Sequence, residues 1–173
     1  MSYFTSLSGA RGIIDVFKEN LKKYMPSLTL AEEFLREPSA LSSQDRETIA
    51  MFTSYLNKCE FCYGSHREFA ISLGVSLEDI QSIIENSYSN HRLARVLDYV
   101  KKLTLNPSSL TKLDFDAVIS SGISEEELKD AIAVCSVFNY FNRIVEGHFI
   151  QKNEDTWKSS AERINLHGYD NRR

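Results

Sequence analysis

The sequence predicts an all-α, single-domain helical bundle, and three observations carry that expectation. Its 7 glycines and 3 prolines are few, and most fall between periodic segments rather than inside them. Apolar residues recur at spacings of three and four through most of the chain. No stretch alternates apolar and polar residues as a half-buried strand does. A length of 173 residues suits one domain with a substantial core. The domain is expected to span 1–173, with its core at about 10–152 and a polar C-terminal tail.

Taken in order, Ile13, Ile14, Phe17 and Leu21 follow helical spacing up to about Tyr24, with Pro26 just past the end. A short second helix is expected around Leu30, Phe34 and Leu35, closed by Pro38. Ser42 or Ser43 offers an N-cap, and Asp45 and Glu47 lie in the first turns, where the helix dipole favours carboxylates. That helix carries Ile49, Ala50, Phe52, Thr53 and Leu56 and breaks near Asn57. The next begins at about Cys59 and runs to Leu73, with Gly74 as its terminator. Ser76 opens a short helix through Ile80, Ile83 and Ile84. Asn90 is placed as the cap of a helix bearing Leu93, Val96, Leu97, Val100 and Leu103, which stops before Asn106-Pro107. Thr111 to Ile119 forms another, ended by Gly122. Ser124-Glu125-Glu126-Glu127 is a capping box opening the longest helix, expected to run past Phe149. The apolar surface of that helix is too wide for a single stripe, so it either crosses the centre of the bundle or meets another copy of the chain. Its aromatic content favours the subunit contact. The tail after Trp157 is polar and expected to be loosely ordered.

Composition narrows the function classes. Hydrophobic residues make up 42% and charged residues 25%, with a net charge of −4 and no like-charge block longer than Glu125-Glu126-Glu127. There is no footprint of a nucleic-acid or membrane partner. The first twenty residues mix Gly, Arg, Asp and Lys and form neither a signal peptide nor a spanning helix, so the expected location is cytoplasmic. Three cysteines, two of them three positions apart, do not make a secreted disulfide framework. In a reducing compartment such a pair is catalytic or metal-binding rather than structural.

The chemistry concentrates in Cys59-Glu60-Phe61-Cys62-Tyr63-Gly64-Ser65-His66. On a helix, Cys59, Cys62 and His66 project from one face. Alpha-carbons three residues apart lie about 5 Å from each other, within the span of a disulfide. The pair starts a helix, where free N–H groups and the dipole stabilise a thiolate, the form that attacks peroxides and disulfides. His66 can take up the Cys62 proton. If the flanking helices form an antiparallel hairpin, depth from the turn runs at about 1.5 Å per residue. Cys59 then lies at the turn, with Cys62, His66 and Glu47 progressively deeper. This is a proton path into the bundle, with Glu47 orienting His66 directly or through a water. Cys62, next to His66, is the thiol whose proton the relay manages; Cys59, nearest the helix start, could equally be the attacking sulfur. A zinc site is the competing reading: Cys59, Cys62 and His66 supply three of four ligands, with Glu47 or His148 as a fourth. Cys135 reads as core packing, and His91 and His167 as surface residues. Asn139, Asn142 and Arg143 are polar groups in an apolar helix and need partners, by capping another helix, bridging subunits or, for Arg143, meeting a carboxylate.

Glu-x11-Cys-x2-Cys-x3-His, here Glu47, Cys59, Cys62 and His66, resembles the signature of the alkylhydroperoxidase-like proteins of the carboxymuconolactone decarboxylase superfamily. Ser43 to Ala50 and Phe138-Asn139-Tyr140-Phe141-Asn142-Arg143 look like its peroxidase-related branch, and the resemblance runs from about Phe17 to about Phe149. It implies a helical bundle assembling into homo-oligomers, often dimer-based, as trimers or hexamers. It further implies reduction of hydroperoxides by the Cys59–Cys62 pair, which becomes a disulfide and is re-reduced by an external dithiol such as a lipoyl or thioredoxin-like donor. No other cofactor and no metal is implied. One departure stands out: Phe61 occupies a position between the cysteines where well-studied peroxidase members carry a second histidine.

Overall fold

The computed structural model describes residues 2–88, 91–151 and 154–169. All their regular structure is helical: α1 Ile13–Lys18, α2 Leu21–Leu35, α3 Ser43–Leu56, α4 Glu60–Ser72, α5 Leu77–Ile84, α6 Ala94–Leu105, α7 Lys112–Ser120, α8 Glu125–Gly147 and α9 Glu154–His167. Most boundaries follow local chemistry. The Ser42 hydroxyl accepts from the Asp45 N–H at 3.1 Å and Asp45 reaches back to the Ser42 N–H, so a capping box opens α3. Ser124 opens α8 with the same box, Ser76 accepts from the Asp79 N–H at the start of α5, and the Thr111 N–H and hydroxyl donate to Asp114 at the start of α7. Asn90, expected to cap α6, lies outside the described residues. Among the described residues no helix is long and apolar enough to cross a membrane.

Three expectations are corrected. The first break comes at Glu19-Asn20, not at Pro26. The Asn20 side chain accepts from the Lys23 N–H and starts α2, and Pro26 is carried within that helix. The long helix stops at Gly147 instead of passing Phe149. There the chain turns through Phe149 at φ 56°, with the Ile150 N–H bonded back to the Val145 carbonyl. Among the described residues, the segment after Trp157 is helical as far as His167 rather than loose. Residues 154–167 form α9, which packs on α4 and buries Ala161 and Ile164 against Phe69.

The inner pair is α3 and α8, with α2, α4 and α6 around them, α5 against α3, α7 on α6 and α9 on α4. Within the single chain α8 lies at the bundle centre: Val134, Phe138, Phe141 and Val145 are buried, while Tyr140 stays 38% exposed. Each large apolar side chain so buried contributes about 1.5–3 kcal/mol. Polar groups on α8 are satisfied internally. The Asn57 amide at the end of α3 donates to Asn142 at 2.9 Å and Asn139 at 3.1 Å, and Asn142 donates to Ser54. Arg143 turns to the Asn139 carbonyl and side-chain oxygens. Arg46 donates to the Phe34 and Glu37 carbonyls, closing the end of α2 against α3.

Candidate active site

The turn between α3 and α4 sets the position of both cysteines. Lys58 adopts φ 57°, its N–H bonds the Tyr55 carbonyl, and the Cys59 N–H bonds the Ser54 carbonyl at 3.0 Å. This double closure is a Schellman motif, so Cys59 ends one helix and is the N-cap of the next. Both cysteines are buried and not joined to each other. Cys62 follows in the first turn of α4 and His66 one turn deeper. Antiparallel packing of α3 on α4 brings Glu47 to meet it, and the His66 Nδ1 lies 2.6 Å from Glu47 Oε2. The sequence left open a direct contact or a bridging water; the contact is direct. The imidazole is held edge-on by Phe138 at 4.2 Å and Phe69 at 5.1 Å between ring centroids.

Glu47 is fully buried and has two further partners that spacing alone does not reveal. Arg36, at the end of α2, pairs with Oε1 at 2.6 Å. The Tyr169 hydroxyl donates to the same oxygen at 3.1 Å. Burial pushes the Glu47 carboxyl up, but the Arg36 guanidinium first, and His66 second, more than offset it and hold the group below its ordinary range. Tyr169 is raised well above the usual phenol value, by burial and then by the Glu47 charge, and so stays a neutral donor. A buried carboxylate needs a cation, which is a signal the sequence does contain. It does not say which arginine answers, and for Tyr169, 122 residues away, no local pattern exists.

The thiols differ from the expectation in one respect. Cys59 was expected to benefit from the helix start as a thiolate. Its hydrogen bond to Cys62 and then its burial instead push its thiol far above the ordinary range. The Cys62 backbone N–H acts in the opposite direction and is the smaller effect. Cys59 therefore keeps its proton.

Cys62, Ser65 and His66 line a cavity of about 460 Å³. Its walls are mainly apolar, with Phe17, Phe61, Phe138 and Ile164 among them. Phe61 thus faces the chamber where a second proton-transfer group would stand. Cys59 opens on the other side, toward Tyr55, Tyr63 and Trp157. Cys135 is buried beside Thr104, away from this site. His148 bonds the Ile144 carbonyl at 2.7 Å, and His167 is exposed. His91 is partly buried, and its Nδ1 accepts from the Leu93 N–H. Among the described residues no three His, Cys, Asp or Glu side chains are grouped to hold a metal ion.

The sequence profile of the carboxymuconolactone decarboxylase family matches residues 23–103, the stretch that contains all four candidate residues. Among curated proteins, none matches this chain in sequence. Among solved structures, the chain is similar to an uncharacterized peroxidase-related protein from Silicibacter sp. TM1040. The TM-score is 0.76 at 21% identity, over 84% of this chain and 78% of that one. It is similar to the same extent, at 18% identity, to an uncharacterized peroxidase-related protein with an alkylhydroperoxidase AhpD core from Ralstonia eutropha JMP134. A protein of unknown function from Agrobacterium tumefaciens, suggested to be an antioxidant defence protein AhpD, matches with a TM-score of 0.65 at 19% identity. That match covers 80% of this chain and 95% of that one. At such identities the likeness is one of fold.

Proposed function

We propose that this chain, whose residues 23–103 match the carboxymuconolactone decarboxylase family, is an alkylhydroperoxidase-like thiol-dependent reductase of organic hydroperoxides, with Cys62 as the attacking sulfur. The observation that carries the reading is that Cys62 and His66 line one largely apolar cavity, with His66 anchored at 2.6 Å on a buried glutamate. An apolar chamber of that size takes an alkyl or aryl peroxide more readily than hydrogen peroxide alone.

In the proposed cycle His66 accepts the Cys62 proton and Glu47 stabilises the imidazolium formed. The Cys62 thiolate attacks the terminal peroxide oxygen. An S–O bond forms, the O–O bond breaks, and the alkoxide leaves as alcohol with the proton returned by His66. Cys59, still a thiol, then attacks the Cys62 sulfenic acid, forming the disulfide and releasing water. An external dithiol reverses this by thiol–disulfide exchange, leaving as its own disulfide. A lipoyl or thioredoxin-like donor and assembly into dimer-based homo-oligomers belong to the same proposal. Phe61 leaves the cycle with one histidine, so we expect slower peroxide turnover than in relatives with two.

The test is steady-state turnover of cumene hydroperoxide with dihydrolipoamide as donor. The native chain should turn over and oxidise to a Cys59–Cys62 disulfide visible by mass spectrometry. Activity equal to that of the Cys59→Ser, Cys62→Ser double variant would reject the reading.

A further inference from the structure

The C-terminal segment meets the buried Glu47–His66 pair at one residue. The Tyr169 hydroxyl donates to Glu47 Oε1, the oxygen that also receives Arg36, leaving Oε2 to His66. The Tyr169 ring lies under the Arg36 guanidinium, 5.1 Å from its centroid, and edge-on to Phe69 at 6.2 Å. The Tyr169 backbone N–H donates to Glu32 Oε2 at 2.6 Å. The residue before it, Gly168, is in the left-handed region at φ 76°, and a Cβ there would stand 2.5 Å from the Glu32 carboxylate. Only glycine permits this approach. Tyr169 also lines the chamber that holds Cys62 and His66, as do Ser160, Arg163 and Ile164 of α9.

We propose that Tyr169 is a positioning residue of the Glu47–His66 pair, delivered by α9, so that the C-terminal segment completes the site rather than merely covering it. By occupying Oε1 together with Arg36, the phenol fixes the carboxylate plane and the strength with which Oε2 holds the imidazole. Among the described residues, the charged or titratable groups facing Glu47 or the tyrosine are Arg36 and Glu32 from α2, His66 from α4, and Tyr169 itself. Removing the phenol leaves the other three in place. The proposal rests on the peroxidase reading for its kinetic consequence and is independent of it for its spectroscopic one.

The experiment compares the native chain with Tyr169→Phe, which keeps the ring and its contacts. The His66 Nδ1 proton, observed in histidine-labelled protein, should move downfield as Glu47 loses a competing donor. The thermal midpoint should stay close to native, and oxidation of the reduced protein by cumene hydroperoxide should slow roughly tenfold. An unmoved resonance and an unchanged rate would overturn the proposal. If Tyr169→Phe does not fold, Gly168→Ala disturbs the docking without touching any side chain in the site. It should move the same resonance, and an unmoved resonance while Trp157 fluorescence reports a released α9 would also overturn it. A native chain without peroxidase turnover would fail the preceding reading, while the resonance still decides this one.

Discussion

Glu47 shows how one side chain can hold together groups from four parts of the chain. A carboxylate with no exposure is costly unless paired and hydrogen-bonded, and here Arg36, His66 and Tyr169 supply both. Glu47→Gln keeps the shape but leaves the Arg36 charge buried without its counterion. It should destabilise the fold by about 3–5 kcal/mol, read from urea denaturation. The same site sets an acid limit. In the folded state Glu47 sits below its ordinary value of 4.5 because Arg36 and His66 outweigh its burial. In the unfolded chain it takes up a proton near 4.5. Its stabilising contribution is therefore complete above that pH and is lost as pH falls toward the folded-state value. Urea midpoints measured from neutral pH downward should drop below about pH 4.5, and the drop should be smaller in Glu47→Gln.

Among the elements, α4 carries the densest set of constraints. Its N-cap is a cysteine whose own N–H closes the preceding helix, so the pair cannot shift without reopening that turn. At its middle stands Gly64, where helix propensity alone would make alanine better by about 1 kcal/mol. The Trp157 indole ring occupies the position a Cβ would take, so the contact with α9 reverses that sign. Gly64→Ala should destabilise by about 1–3 kcal/mol through overpacking. The released ring should shift the emission of Trp157, the chain's single tryptophan, toward that of an exposed indole. Emission and stability unchanged from native would mean that α9 is not seated against α4 in solution.

Across the whole molecule the site and the core are one structure. Phe138 of α8 is 2% exposed, packs on Phe141 at 5.8 Å and holds the His66 ring at 4.2 Å. Phe138→Ala should cost about 3–5 kcal/mol by cavity formation, measured by thermal or urea unfolding. The bundle surrounds α3 and α8 so that the hairpin bearing the thiols opens inward on the apolar chamber. The wide apolar surface of α8 expresses this central position. Tyr140, which shares a hydrogen bond with the Ser27 hydroxyl, faces solvent together with Ser136, Arg143 and Glu146.

By itself the sequence determined most of the helices and that Glu47, Cys59, Cys62 and His66 come together on one hairpin. Caps such as Ser42, Ser76 and Ser124 act within one turn. Glu47, Cys59, Cys62 and His66 lie on a single hairpin, where spacing fixes which faces meet. It failed at Pro26 because the local cost of an interior proline, about 3 kcal/mol, is offset by the tertiary packing that buries Ala31 and Leu35 further along α2. It failed at the tail because α9 is polar over most of its length and is held by a few residues: Trp157, Ala161, Ile164 and Tyr169. Tertiary structure alone decided that Arg36 and Tyr169 share one oxygen of Glu47 and that Cys59, though at a helix start, keeps its proton. Both outcomes come from desolvation and pairing among groups far apart in the chain. Those energies exist only once packing has removed the water, and no local periodicity records them.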